Sequence, residues 1–224
     1  MRDPRSGPLA RLSDETLGWG GSPVLTGVDL SLSEGERVVL LGRSGVGKST
    51  LLAALSDRLA GIRIALVPQD HGLVGPLSVF HNCWMGLLDD AGTARNLRIL
   101  LRPRAAERAR VEAVLDRVGL SGMGRRRVAT LSGGQRQRVA LARALLRGGA
   151  VVLGDEPVSA LDPTQAAALL GELAESFPTS VLALHDVTLA LDTATRIIGL
   201  KGGRVVLDAP VADCTRDRLM DLYT

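Results

Sequence analysis

Residues 42 to 50 read Gly42-Arg43-Ser44-Gly45-Val46-Gly47-Lys48-Ser49-Thr50. The stretch fits G-x-x-x-x-G-K-[ST], the pattern of a phosphate-binding loop, and each part has a physical task. Gly42, Gly45 and Gly47 permit positive φ and let the backbone approach an anion closely. Their N–H groups can then converge as a nest around a phosphate. Lys48 supplies a mobile cation for β- and γ-phosphates, and Ser49 a hydroxyl for Mg2+. The flanks agree. Val38 to Leu41 is a short apolar run of the kind that forms a buried parallel strand. Leu51, Leu52, Leu55 and Leu59 fall on one helical face, and Gly61 can stop that helix. Strand, loop, helix is the context the motif needs. It argues against an ordinary Gly-rich turn, although the chain holds 26 glycines.

Towards the N-terminus, Glu15 to Leu32 predicts short strands broken by a Gly18-Trp19-Gly20-Gly21 turn. Residues 1 to 13 are rich in Pro, Gly and Arg and are expected to be a flexible lead-in. Trp19 is open to two readings, a partly buried core aromatic or a platform on which a flat base stacks.

Towards the C-terminus, Ile62 to Val67 reads as a strand ending in Pro68-Gln69. Open α/β sheets bind ligands at that carboxyl edge of their strands, which makes Gln69 a candidate site residue. Residues 75 to 147 read as mainly helical, and Val111, Val114, Leu115 and Val118 share one apolar face. Within this insertion Ser132, Gly133 and Gly134 stand at the start of a helix carrying Val139, Ala142 and Leu146. They are either an ordinary N-cap or a second anion site built on free N–H groups. Val151 to Gly154 is another strand, ending in Asp155 and Glu156. Asp155 suits Mg2+ through its water shell, and Glu156 suits polarisation of an attacking water. Two carboxylates facing a phosphate loop would repel the phosphate, so a divalent ion is implied. Ser159-Ala160-Leu161-Asp162 then leads into a helix over Pro163 to Phe177. Ser180 to Leu184 ends at His185, on the same edge as Gln69 and Glu156, which favours a γ-phosphate contact. His71 and His81 have no such placement. Arg196–Leu200 and Arg204–Leu207 predict a hairpin turning at Gly202-Gly203, and Asp213 to Tyr223 a terminal helix.

The 224 residues suffice for one large domain or a domain with a subdomain. The net charge of +3 carries no basic stripe interleaved with aromatics, so a nucleic-acid partner is not expected. Arg125 to Arg127 reads as a solvated loop. Cys83 and Cys214 lack metal-ligand spacing and read as free thiols of a reducing cytoplasm. No apolar run approaches the ~18 residues of a membrane span, so a membrane role needs a separate chain.

Taken together these motifs resemble the ATP-binding subunits of ABC transporters, from about residue 14 to the end. GRSGVGKST is similar to the Walker A motif, VVLGDE to Walker B, LSGGQ to the family signature and SALD to the D-loop. Gln69 corresponds to the Q-loop and His185 to the switch histidine. Among subgroups, LVPQDHGLVGPLSVFHNCWMG, LHDVTLALDTATRIIGLKGGRVVLDAP and RLMDLYT resemble the phosphonate importers.

The resemblance implies an α/β fold: a P-loop NTPase core with a mostly parallel sheet, an N-terminal antiparallel β subdomain and an inserted helical subdomain over about 75 to 147. It implies an ATPase using ATP and Mg2+. Glu156, His185 and Gln69 would be catalytic, and Ser49, Gln69 and Asp155 would face the metal. Trp19 would stack on adenine. Ser132, Gly133, Gly134 and Asp162 would meet the nucleotide of a second subunit, a copy of this chain paired head to tail. Further partners implied are membrane permease subunits, gripped by a surface including Gln69 to Met85, and indirectly a solute-binding protein. The location implied is the cytoplasmic face of the cell membrane. Soluble relatives that act on nucleic acid usually carry two modules or a coiled-coil insert, and this chain has neither. A phosphate-loop kinase would leave LSGGQ unexplained.

Overall fold

The computed structural model describes residues 7 to 224. Strands β1 (Ala10–Trp19) and β2 (Ser22–Leu32) form an antiparallel hairpin. A six-stranded sheet follows, built from β3 (Arg37–Leu41), β4 (Ile64–Val67), β5 (Val151–Asp155), β6 (Thr179–Ala183), β7 (Arg196–Lys201) and β8 (Arg204–Pro210). Its spatial order is β4-β5-β6-β3-β7-β8. All neighbours are parallel except β7 and β8. The helices are α1 (Lys48–Arg58), α2 (Val79–Trp84), α3 (Thr93–Leu101), α4 (Ala105–Arg117), α5 (Gly133–Arg147), α6 (Pro163–Ser176), α7 (Val187–Thr193) and α8 (Arg216–Met220). The α/β architecture expected from the sequence is present.

Strand β3 shows why the sheet is buried on both faces. Successive side chains of a strand point to opposite sides. Val38 and Leu40 enter the core formed with the hairpin and α1, where Leu25, Leu51 and Leu55 lie. Val39 and Leu41 enter the core on the other face, with α5, α6 and α7. The apolar face of α1 predicted by its leucines is buried as expected, and so is the Val111, Val114, Leu115, Val118 face of α4.

Four expectations about local structure change. The lead-in is shorter than 13 residues: β1 starts at Ala10, and Ala10 and Leu12 are buried opposite Leu32 and Leu30. Alternation of apolar residues, set against a long partner strand, outweighs the Pro- and Gly-rich composition there. Residues 1 to 6 lie outside the described residues. The short strands expected over Glu15 to Leu32 are one long hairpin, with Gly18 and Trp19 inside β1 and the turn at Gly20-Gly21. Gly61 lies beyond the first helix, which ends with Leu59 as its C-cap. The single terminal helix resolves into a 3-10 turn (Val211–Asp213), α8 and a second 3-10 turn (Asp221–Tyr223). Thr215 caps α8 by accepting from Arg218 N–H, which starts the helix after the first turn. Among the described residues no helix is long and apolar enough to cross a membrane.

Candidate active site

The parallel arrangement brings the carboxyl ends of β3, β4, β5 and β6 to one edge of the sheet. The loop after β3 carries Gly42 to Gly47, the end of β4 leads to Gln69, β5 ends at Asp155 beside Glu156, and β6 leads to His185.

The phosphate-binding loop is shaped by its glycines. Gly42 has φ +142 and Gly47 φ +114, a region L side chains rarely adopt. Gly47 is also the N-cap of α1, so the free N–H groups and positive dipole end of that helix face the loop. Lys48 is buried and its ammonium donates to the carbonyl oxygens of Gly42 (2.7 Å) and Arg43 (3.1 Å). Burial pulls its pKa below the usual lysine value, while Glu156 and Asp155 oppose that shift.

One cavity of about 240 Å3 is lined by Val24, Ser44, Gly45, Gly47, Lys48, Ser49, Thr50, Gln69, Asp155 and Glu156. The structure therefore gathers the loop, both acids and Gln69 around one space. Ser49, Gln69 and Asp155 also border a neighbouring cavity of about 300 Å3. Gly42, Arg43 and Val46 belong to the loop but do not line the first cavity. Neither do Trp19, Ser132, Gly133, Gly134, Asp162 and His185.

Each of these has its own attachment. Trp19 is 62% exposed, and its indole N–H donates to Thr50 Oγ1 at 3.1 Å, which fixes the ring beside the loop. His185 Nε2 is hydrogen-bonded to Glu156 Oε1. The histidine expected to face phosphate is thus engaged with the neighbouring carboxylate. Asp162 caps α6, accepting from Gln165 N–H at 3.0 Å. Ser132 caps α5, accepting from Gln135 N–H at 3.3 Å, and the Gln135 side chain returns the contact to Ser132 N–H. The N-cap reading of Ser132 is therefore met in full. The glycines beside it differ from each other. A Cβ on Gly134 would stand 3.0 Å from the Ala160 carbonyl oxygen, whereas one on Gly133 would meet nothing within 4 Å.

Glu156 has φ +53, a left-handed conformation costly for a residue with a Cβ. Its own N–H donates to Ala183 O at 3.1 Å. Such strain persists only where surrounding contacts over-determine it, and it gathers at functional sites.

Three residues with no role assigned from sequence hold this edge together. Gln137 is fully buried and bonds the segment after Glu156. Arg143 donates to His71 O (2.6 Å) and Gly72 O (2.7 Å), so α5 grips the loop that follows Gln69. Tyr223 O–H donates to His185 O at 3.3 Å, bringing the C-terminal segment against the histidine loop. Only Gln137 left a readable signal: it shares a helical row with buried Leu141 and Ala144, and a buried amide must find partners.

The model of the family described as "ABC transporter" matches residues 25 to 159. The chain belongs to the ABC transporter family. The phosphate-import ATP-binding protein PhnC of Mycolicibacterium smegmatis is 41% identical, over 94% of this chain and 90% of that one. The phosphonates import ATP-binding protein PhnC of Nocardia farcinica is 39% identical, over 99% and 92%. A bacterial ABC transporter cassette solved as a dimer matches with TM-score 0.76 at 28% identity, over 90% of this chain and 98% of that one. A dimeric post-hydrolysis cassette bound to ADP and Pi matches with TM-score 0.75 at 27% identity, over 90% and 98%. This ABC cassette is accordingly a nucleotide-binding ATPase subunit.

Proposed function

We propose that this chain is the ATP-hydrolysing subunit of an importer for a phosphorus oxyanion. It would work at the cytoplasmic face of the membrane, paired with a second copy and docked under a separate permease served by a solute-binding protein. The observation that carries the reading is the shared cavity: Lys48, Ser49, Gln69, Asp155 and Glu156 converge on it from three strands. At about 240 Å3 it is smaller than the roughly 300–1,000 Å3 of pockets that enclose a small ligand. It suits the phosphate end of ATP and leaves the rest to a second surface. Ser132 and the open side of Gly133 on another copy supply hydroxyl and N–H groups of the right kind.

The residues have separable tasks. The loop N–H groups and Lys48 hold the β- and γ-phosphates, and Trp19 offers its exposed face to adenine. Glu156 accepts a hydrogen bond from the attacking water and orients it in line with the γ-phosphate. His185 restrains that carboxylate through its Nε2 contact. The lining holds one ammonium against two carboxylates, so a polyphosphate would meet net repulsion without a divalent cation. One hydroxyl, one amide and one or two carboxylates fit Mg2+, which takes few protein ligands and fills its octahedron with water and substrate phosphates. Ser49, Asp155 and Gln69 are the residues to hold it. Bound there, Mg2+ would neutralise charge on the β- and γ-oxygens.

The relatives' names divide between phosphonates and phosphate. The test is uptake of labelled methylphosphonate and of labelled inorganic phosphate by cells with and without the gene. Loss of methylphosphonate uptake alone supports the phosphonate reading, and loss of phosphate uptake alone moves the solute to phosphate. Unchanged uptake of both refutes the oxyanion assignment.

A further inference from the structure

The segment from Glu156 to Leu161 is held from one direction by α5, the helix capped by Ser132. Gln137, fully buried on α5, donates from Nε2 to Glu156 O (2.7 Å) and Ser159 Oγ (3.2 Å). Its Oε1 accepts from Ala160 N–H (2.8 Å). The side chain thus uses both ends of its amide on three consecutive features of this turn. Ser159 adds a hydroxyl contact to the same Glu156 oxygen at 3.2 Å. Gly134, one turn earlier on α5, lies so close to this turn that an added Cβ would stand 3.0 Å from the Ala160 carbonyl oxygen.

We infer that Gln137 is a positioning residue for hydrolysis, setting the Glu156 carboxylate through its backbone. Glu156 sits at φ +53, and a carbonyl held there fixes the plane of the peptide that follows. The next peptides are pinned by the same amide at Ser159 and Ala160. Gln137 therefore over-determines a conformation that Glu156 would not keep alone. The helix carrying Gln137 is capped by Ser132, so a single helix links the signature end to the turn that follows Glu156. The inference rests on the reading of Glu156 as the residue that orients water.

The test uses the full-length chain with MgATP and four variants: Gln137→Met, Gln137→Glu, Glu156→Gln and the Gln137→Met/Glu156→Gln double variant. Methionine keeps the length and removes donor and acceptor. A misplacement near 1 Å can cost about a hundredfold in rate, so kcat of Gln137→Met should fall about 10- to 100-fold. KM for ATP should stay within about twofold, since the loop and Lys48 are untouched. In the Glu156→Gln background the same change should give no further fall in single-turnover hydrolysis, because its effect passes through Glu156. A kcat within twofold of wild type overturns the inference. So does a rise in KM at constant kcat, or an equal further fall in the Glu156→Gln background. Should Gln137→Met not fold, Gln137→Glu carries the same criterion: its carboxylate still accepts from Ala160 N–H but does not donate to Glu156 O. Wild-type turnover by Glu156→Gln alone would remove the reading of Glu156 itself, whatever Gln137→Met does.

Discussion

Gly47→Ala should damage the molecule through two separate mechanisms, and the structure allows them to be measured apart. The residue caps α1 at φ +114, so a Cβ costs about 1–3 kcal/mol in backbone strain. That Cβ would also stand 2.7 Å from both Cγ and Cδ2 of Leu25. Leu25 is fully buried between the hairpin and α1, and forcing volume into such packing costs about 1–3 kcal/mol. The sum, about 2–6 kcal/mol, is a large part of the roughly 5–15 kcal/mol that holds a domain together. Gly45→Ala is the control: φ is +78, but nothing lies within 4 Å of its Cβ. It should cost the strain alone, leaving Gly47→Ala worse by about 1–3 kcal/mol. Leu25→Ala removes the atoms that the new methyl meets. By itself it should cost about 2–5 kcal/mol. The Gly47→Ala/Leu25→Ala double variant should be less destabilised than the sum by about 1–3 kcal/mol. Urea unfolding followed by circular dichroism gives all four free energies. Equal stabilities for Gly47→Ala and Gly45→Ala, with strict additivity in the double variant, would refute the reasoning.

Lys48→Ala removes the cation that lines the phosphate cavity among the described residues and should weaken ATP binding at least tenfold in a titration with a fluorescent ATP analogue; unchanged affinity would contradict its role. Thr50→Val keeps shape and removes the acceptor of the Trp19 N–H. A net hydrogen bond is worth about 1 kcal/mol or less at so exposed a side chain, so KM for ATP should rise about two- to fivefold with kcat unchanged. Equal KM values would show that the indole does not need this anchor. Burial pushes the Cys83 thiol up to about 12; it raises the Cys214 thiol too, but that side chain is only partly covered. Ellman's reagent at pH 8 should therefore find one fast thiol in the native chain and two after denaturation; two fast thiols in the native chain would contradict the burial of Cys83.

The sequence was most legible where chemistry is local. Gly42 to Thr50 states its conformation in its own residues, and the apolar runs of β3, β4, β5 and β6 place Gln69, Asp155, Glu156 and His185 on one edge. Parallel strands make that inference possible, since every loop after a strand emerges on the same side. Partnerships set by tertiary structure were not legible. Nothing in the spacing of 156 and 185 says that His185 is hydrogen-bonded to Glu156. Arg143 looks like any helix-face arginine until the His71–Gly72 turn is folded onto it. Ala10 and Leu12 read as part of a loose end because two alternating apolar residues are a weak signal without the partner strand. The left-handed backbone of Glu156 is likewise set from outside, by Gln137 on one side and Ala183 on the other.

We propose that each phosphate-binding loop forms half of a site completed by Ser132 of another copy. The most direct test is the ATPase rate of an equimolar mixture of Lys48→Ala and Ser132→Arg chains. Each variant alone should be inactive. In the mixed dimer the intact loop of one chain meets the intact signature of the other, so activity should return. A mixture as inactive as its components, or a Ser132→Arg chain that hydrolyses ATP normally by itself, would contradict the shared site.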